Sequence, residues 1–201
     1  MIIETFEQLS PEWFSARAGI PTSSCFDKIV TAKGEPSKSA KNYMYQLAGE
    51  RLAGVKTDTY QNAAMLRGIE LQGEAVALFK FLKDAEIQEV GLCYPNDKKR
   101  YSCSPDGLLT LEGLEIKCPL IHTHVGYLLA GTLPTDYFQQ VQGSMLVTGY
   151  PAWWFMSYYP GLPPLILWIN RDDAFCARLK VALDEFCDEL DAITAKLKAM
   201  A

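Results

Sequence analysis

The sequence predicts a mixed α/β (α+β) protein, a central mixed β-sheet flanked by helices. Three observations carry that prediction. Helix-type apolar spacing dominates up to Asp84, and short apolar runs broken by turn residues follow it. The chain then closes on a helix, two further strand-like runs and a long amphipathic helix. Its 201 residues, 49% hydrophobic and 21% charged, suit one domain over 1–201 with a sizeable core. No repeat, low-complexity tract or Pro/Gly/Ser linker divides it.

Ser10-Pro11-Glu12 opens the first helix, with a capping hydroxyl and proline at the first helical position, and leads into a short helix over 13–18. Ser23 or Ser24 caps a second short helix through Val30. Longer helices are expected over 40–52 and 62–82, the latter with Leu71, Leu78, Phe79 and Leu82 on its apolar face. After Asp84, residues 87–94, 100–104, 107–111 and 114–117 read as strands, with Glu112-Gly113 closing a hairpin. A helix over 136–147 follows. Strands over 152–159 and 165–170, joined by a proline-rich turn around 160–164, precede a final helix over 172–199. Trp153-Trp154-Phe155 fits a strand alternating between two packed layers, and Leu179, Leu183, Phe186, Leu190 and Ile193 form a helix stripe for the sheet or a neighbouring subunit.

Composition narrows the classes. The first residues lack a basic segment followed by an apolar run, so no secretory signal is expected. No apolar run approaches the ~20 residues of a membrane helix. A soluble cytoplasmic protein is expected. Cysteines 25, 93, 103, 118, 176 and 187 show neither zinc-knuckle nor iron–sulfur grouping and read as buried thiols. Two histidines, His122 and His124, lack a nearby third ligand for a zinc hydrolase. A net charge of −5 argues against a nucleic-acid partner. A bound metal would reverse that local field, and Lys28, Lys33, Lys38, Lys41 and Lys98-Lys99-Arg100 are locally basic, so charge alone leaves the partner open.

The informative segment is Ser104-Pro105-Asp106-Gly107, followed by Glu115-Ile116-Lys117. On a strand, residues i and i+2 share a face, so Glu115 and Lys117 point together while Ile116 faces the core. Asp106 precedes a strand that the hairpin pairs with the one carrying Glu115, which brings both carboxylates within one metal's reach. Carboxylate oxygens suit Mg²⁺, and a lysine beside the ion stabilises charge in a phosphodiester transition state. The pattern points to a metal-dependent nuclease of the PD-(D/E)xK type with Asp106, Glu115 and Lys117 at its centre. Asp with Glu-x-Lys some ten residues on also arises by chance in surface hairpins. Here Leu114, Ile116 and Cys118 alternate with the charged pair, as in a half-buried strand, and Pro119 ends it.

With those segments the chain resembles the bacteriophage lambda exonuclease (YqaJ-type viral recombinase) family. Trp13-Phe14-Ser15-Ala16-Arg17-Ala18-Gly19-Ile20 with Thr22-Ser23-Ser24 is similar to the family's N-terminal motif, and residues 68–75 to its Gly- and Glu-containing helix. Tyr137-Phe138-Gln139-Gln140-Val141-Gln142 is similar to its Y-x-x-Q-x-Q helix. The resemblance implies a restriction-endonuclease-like core and a Mg²⁺ site (Mn²⁺ as a substitute) built by Asp106, Glu115 and the backbone carbonyl of Ile116, with Lys117 beside it. It also implies a 5′-phosphate pocket onto which Arg17, Ser24, Ser104 and Gln142 map. The residue-level alternatives are a surface-helix role for Arg17 and a buried polar contact for Gln142.

One departure concerns the glutamate that family members usually carry four residues after the helix glycine. That position is Gln72, flanked by Glu70 and Glu74, and Glu70 is expected to take over. The resemblance further implies a ring-shaped homotrimer that digests one strand of linear duplex DNA from its 5′ end. The 3′ strand would pass to a single-strand annealing protein in a bacterial host, consistent with a phage or prophage origin. The competing readings are an endonuclease of the same fold and a catalytically silent DNA-binding module.

Overall fold

The fold is described from a computed structural model covering residues 1–57 and 63–200, apart from the side chains of Ala64 and Met65. Its central feature is strand β4 (Glu112–Lys117), numbered after β1 (Ile2–Glu4), β2 (Leu92–Tyr94) and β3 (Gly107–Leu109). β4 pairs antiparallel with β3 on one side and parallel with β5 (Ala152–Ser157) on the other. β6 (Leu165–Asn170) adds an antiparallel edge, so the sheet order is β3-β4-β5-β6, mixed as the sequence predicts. β1 and β2 form a separate two-stranded sheet.

Six α-helices are described: α1 (Pro11–Arg17), α2 (Ala40–Ala53), α3 (Ala63–Lys83), α4 (Ile121–Ala130), α5 (Phe138–Thr148) and α6 (Asp173–Lys198). The first starts as expected, with the Ser10 hydroxyl accepting from the Trp13 N–H and Pro11 in its first turn. The expected start of the long helix at Asn62 lies outside the described residues. None of the described helices is long and apolar enough to cross a membrane.

Period-two alternation sorts the sheet into two packed faces. Leu114, Ile116, Met156 and Tyr158 point to one face, where Ala75 and Phe79 of α3 cover them. Trp153 and Phe155 point to the other, against Val141 and Met145 of α5 and the α2 and α6 side chains beyond them. The aromatic run therefore is core, one ring to each layer in turn. On α6, Leu179, Leu183, Phe186 and Leu190 are buried against this larger core, with Phe186 stacked on Tyr43 of α2 at 5.9 Å.

Several expectations are corrected. The hairpin turns at Thr110-Leu111, not Glu112-Gly113, with Leu109 opposite Glu112 and Leu111 at φ 61°. Gly113 sits inside β4 because a Cβ there would lie 2.1 Å from the Trp153 ring. β4 is buried on both faces along its centre rather than half-buried, since α3 and α5 cover opposite sides. Residues 100–104 form no strand and make only isolated pairings, Cys93 with Cys103 and Thr22 with Ser102. Residues 23–28 form a 3₁₀ helix. Helix α4 was not expected: Ile121, Val125 and Leu129 are spaced for one helix face, yet that face is exposed, so its pattern does not mark a core-facing helix.

Candidate active site

The site lies where β4 outruns β3. Asp106, just before β3, donates its N–H to Leu114 O at 3.0 Å and turns its carboxylate along the strand edge. Asp106 Oδ2 there accepts the Ile116 N–H at 2.6 Å, the place a longer β3 would have filled. A residue's N–H and C=O leave a strand toward the same neighbour. The Ile116 carbonyl therefore emerges on the Asp106 side.

Glu115 and Lys117 share the opposite, α5-facing side of β4. Lys117 Nζ lies 2.6 Å from Glu115 Oε1 and 4.9 Å from the centre of the Tyr137 ring. Glu115 Oε1 also accepts from Gln140 Nε2 at 2.7 Å. From α3, Gln72 Nε2 reaches Asp106 Oδ1 at 2.6 Å.

Burial, with Glu115 close by, pushes the Asp106 carboxyl up to about 7, against the opposing pull of Lys117. Burial works against the Lys117 ammonium, but Glu115 and Asp106 beside it raise its pKa above the ordinary lysine value. Two acidic groups crowded at a strand edge, one of them reluctant to ionise, form a site that a cation would relieve. Two carboxylates and a carbonyl oxygen are hard donors of the kind Mg²⁺ takes, leaving positions for water and phosphate. Among the described residues no third His, Cys, Asp or Glu joins them.

Glu70 does not meet the expectation placed on it. It is exposed on α3, and no hydrogen bond among the described residues ties it to the cluster. Glu74 is hydrogen-bonded by the Tyr158 hydroxyl on the α3-covered face. The 100° helical step explains the outcome: from α3 the Gln72 side chain reaches the edge where Asp106 stands, and residues two away point elsewhere.

Arg17 sits at the end of α1 with its guanidinium 4.1 Å over the Trp13 ring. Its Nη1 donates to Ser104 Oγ at 2.8 Å, and Nη2 lies 3.3 Å from Thr22 Oγ1 and 3.5 Å from Ser24 Oγ. Trp13 Nε1 also donates to Ser104 Oγ, at 3.1 Å. Arg17, Ser24 and Ser104 are thus brought together, and Thr22 joins them, a residue quoted in the N-terminal motif but not singled out. Burial pulls the guanidinium pKa down, and the surrounding partners are neutral hydroxyls. Among the described residues no carboxylate pairs with it within ion-pair distance. A partly buried cation ringed by hydroxyl donors suits a phosphate.

Gln142 does not join this pocket. Its Nε2 donates to Asn170 O at 3.0 Å and its Oε1 accepts the Asp172 N–H at 2.8 Å, so the amide ties α5 to the start of α6. Gln140, passed over at the sequence level, is the glutamine that meets the cluster. Two residues on a helix differ by 200°, so Gln140 and Gln142 cannot face one site. Counting three forward from Tyr137, whose ring contacts Lys117, would have selected Gln140. The basic run has its own partners: Lys99 pairs with Glu4 at 2.6 Å, and Arg100 with Asp188 at 2.5 Å.

A mixed sheet between helical layers, carrying Asp, Glu and Lys at one strand edge, puts the protein in the nuclease class. The chain belongs to the YqaJ-like viral recombinase domain family, whose model matches residues 12–151. Two crystal structures of LHK-Exo, an alkaline exonuclease from Laribacter hongkongensis, one of them in complex with dAMP, are 34% identical to it. The match covers 95% of this chain and 97% of that one, with a TM-score of 0.86. A phage-related exonuclease from Haemophilus somnus 129PT shares the fold at 15% identity and a TM-score of 0.70, over 89% of this chain and 96% of that one. No match was found among curated proteins.

Proposed function

We propose that the protein is a Mg²⁺-dependent exonuclease that digests one strand of linear double-stranded DNA from 5′ to 3′. The product would be a 3′ single-stranded overhang for recombination by single-strand annealing. The observation that carries this reading is the tripeptide Ser104-Pro105-Asp106. Ser104 belongs to the Arg17 pocket and Asp106 to the carboxylate cluster. Two residues of chain separate their Cα atoms by at most ~7 Å, on the scale of one nucleotide's step between phosphates. A terminal phosphate on Arg17 would set the next phosphate before Asp106 and Glu115, so that cutting releases single nucleotides.

Asp106, Glu115 and the Ile116 carbonyl would hold the metal, which supplies an acidified water and neutralises charge on the attacked phosphate. Gln72 and Gln140 fix the two carboxylates from opposite helical layers. Lys117, held between Glu115 and Tyr137, orients the attacking water and stabilises the transition-state charge. Arg17, Thr22, Ser24 and Ser104 hold the end. The protein acts as a homotrimer in the cytoplasm of a bacterial host, alongside an annealing protein; membership of a viral recombinase family supports that setting.

The test is digestion of linear duplexes carrying a single 5′-phosphate, with Mg²⁺ and then with EDTA, using Lys117→Ala as the inactive control. Release of mononucleotides from the phosphorylated strand alone, stopped by EDTA, is expected. Equal cutting of covalently closed circular duplex would favour the endonuclease reading, and no cutting in any metal the silent binding module.

A further inference from the structure

Two consecutive residues of α2, Glu50 and Arg51, close on one residue of the loop that follows Arg17. Gly19 donates its N–H to Glu50 Oε2 at 2.9 Å, and its carbonyl accepts from Arg51 Nε at 2.8 Å. Both polar groups of this one residue are thus taken by side chains 31 and 32 positions away. Gly19 stands at φ 68°, and an added Cβ would lie 2.3 Å from Arg51 Cγ, so the loop rests directly on the helix. Arg17 and Thr22, on either side of it in sequence, both belong to the hydroxyl-lined pocket. Ser102 holds the same segment further along, its N–H donating to Pro21 O at 3.0 Å and its carbonyl accepting the Ser23 N–H at 2.9 Å.

The Glu50 carboxylate is fully buried, and every group that meets it is a donor. Besides Gly19 these are the Lys56 ammonium at 2.9 Å, Gln46 Nε2 at 3.1 Å, and the Thr57 N–H and hydroxyl at 3.2 and 2.9 Å. An ionised carboxylate, which only accepts, satisfies such a shell, and an amide does not. A buried ion pair is weak evidence for stability, because desolvation offsets the attraction. Arg51 carries the restraint outward, since its Nη1 bonds Asp191 of α6 at 2.6 Å.

We propose that Glu50 and Arg51 are positioning residues for the 5′-phosphate pocket, holding the Gly19 backbone so that the Arg17 guanidinium and the Thr22 hydroxyl stay aimed at one point. The inference rests on the proposed function, and neither residue touches the substrate. Among the described residues no carboxylate lies within ion-pair distance of Arg17, so its direction depends on the Trp13 ring, the hydroxyls and the backbone that carries it. Placement of that kind matters, because an error of ~1 Å can cost on the order of a hundredfold. The tether also acts through charge: burial lowers the Arg17 pKa, and Glu50 is among the groups that oppose this, without occupying any Arg17 donor.

The test is steady-state digestion by the full-length protein with Mg²⁺ on two linear duplexes that differ only in a 5′-phosphate or a 5′-hydroxyl. The temperature is one at which thermal unfolding shows every variant folded. Glu50→Gln brings two donors into the donor shell. Arg51→Met keeps a stem on Gly19 and removes Nε, giving up besides only a surface ion pair, so its fold is kept. Both variants should raise KM for the phosphorylated duplex roughly tenfold, and leave kcat and the hydroxyl-ended KM within about twofold of the wild type. Gln142→Ala, altered at a place away from the pocket, should keep both wild-type KM values. A wild-type ratio of the two KM values in Glu50→Gln and Arg51→Met would overturn the positioning role. A matching loss in Gln142→Ala would overturn it too, by tracing the effect to stability. Failure of the end-binding reading shows elsewhere, in a wild type that does not distinguish the two duplexes, and the role of Glu50 and Arg51 falls with it.

Discussion

Gln72 donates to Asp106 Oδ1 at 2.6 Å from a helix that covers the face of the sheet opposite Glu115. A neutral amide at that point holds the aspartate without adding a third negative charge. Gln72→Glu should therefore separate the two roles. In EDTA the new carboxylate faces Asp106 without a donor between them, which costs roughly 1–3 kcal/mol. For a chain of this size that lowers Tm by about 2–4 °C per kcal/mol. Saturating Mg²⁺ should restore most of the loss and stabilise the variant more than it does the wild type. Thermal unfolding with and without Mg²⁺ decides it, and a variant equally stable in EDTA would show that Gln72 does not face the charge cluster.

Gln140 and Gln142 should behave oppositely, because one touches Glu115 and the other ties α5 to α6. Gln142→Ala removes the buried amide that partners the Asp172 N–H and the Asn170 carbonyl across two part-buried hydrogen bonds, and should cost roughly 1 kcal/mol of stability. Its preference for phosphorylated 5′ ends should stay at the wild-type level. Gln140→Ala should leave Tm nearly unchanged and lower the cleavage rate about tenfold, the effect of ~1.4 kcal/mol of barrier. Denaturation and initial-rate measurements on the same two proteins check both halves.

Glu50 sets an acid limit on the fold. Its side chain is buried, and burial alone would raise its pKa. The Gly19 N–H, the Lys56 ammonium, Gln46 and Thr57 outweigh that and bring it down to about 2. A carboxyl depressed below its unfolded value stabilises the fold above that unfolded value, near pH 4.5, and the contribution is lost as pH falls toward about 2. Glu50→Gln should lower stability at pH 7 by about 1.5–3 kcal/mol and flatten the limb between pH 4.5 and 2. Urea titrations across that window measure it. A parallel limb in the variant would assign the acid sensitivity to other groups.

What was legible in the sequence follows from which residues answer to local rules. The Glu115-x-Lys117 alternation was readable because the strand period alone sends both side chains to one face, whatever packs there. The Ser10 cap and the α6 stripe were readable for the same reason. Gln72 against Glu70, and Gln140 against Gln142, were not. Each choice depends on the rotation of a helix about its axis, which long-range packing of α3 and α5 on the sheet sets. The expected hairpin turn lies two residues beyond the actual one because Gly113 looks like a turn residue. Its actual constraint, the Trp153 ring, comes from a strand forty positions on. Residues 100–104 have strand-like composition but find only single bridging partners, so composition overstated them.

Arg17 and Ser104 test the end-directed reading itself. The guanidinium lies over Trp13 and donates to Ser104 at 2.8 Å, and among the described residues it makes no hydrogen bond or ion pair with Asp106, Glu115 or Lys117, so its removal should leave the carboxylate cluster undisturbed. Loss of one charge-assisted contact costs ~1.5–3 kcal/mol, roughly a ten- to hundredfold weaker hold on a phosphorylated end. Arg17→Ala should accordingly erase most of the rate difference between linear duplexes that differ only in a 5′-phosphate or 5′-hydroxyl, and shorten each processive run. Arg17→Lys should rescue only part of it, because an ammonium restores charge but not the planar fork that reaches Ser104, Thr22 and Ser24 together. The measurement is the ratio of initial rates on the two duplexes for each protein. A full wild-type ratio in Arg17→Ala would make the Arg17–Ser104 contact a structural one and remove the end-binding pocket from the mechanism.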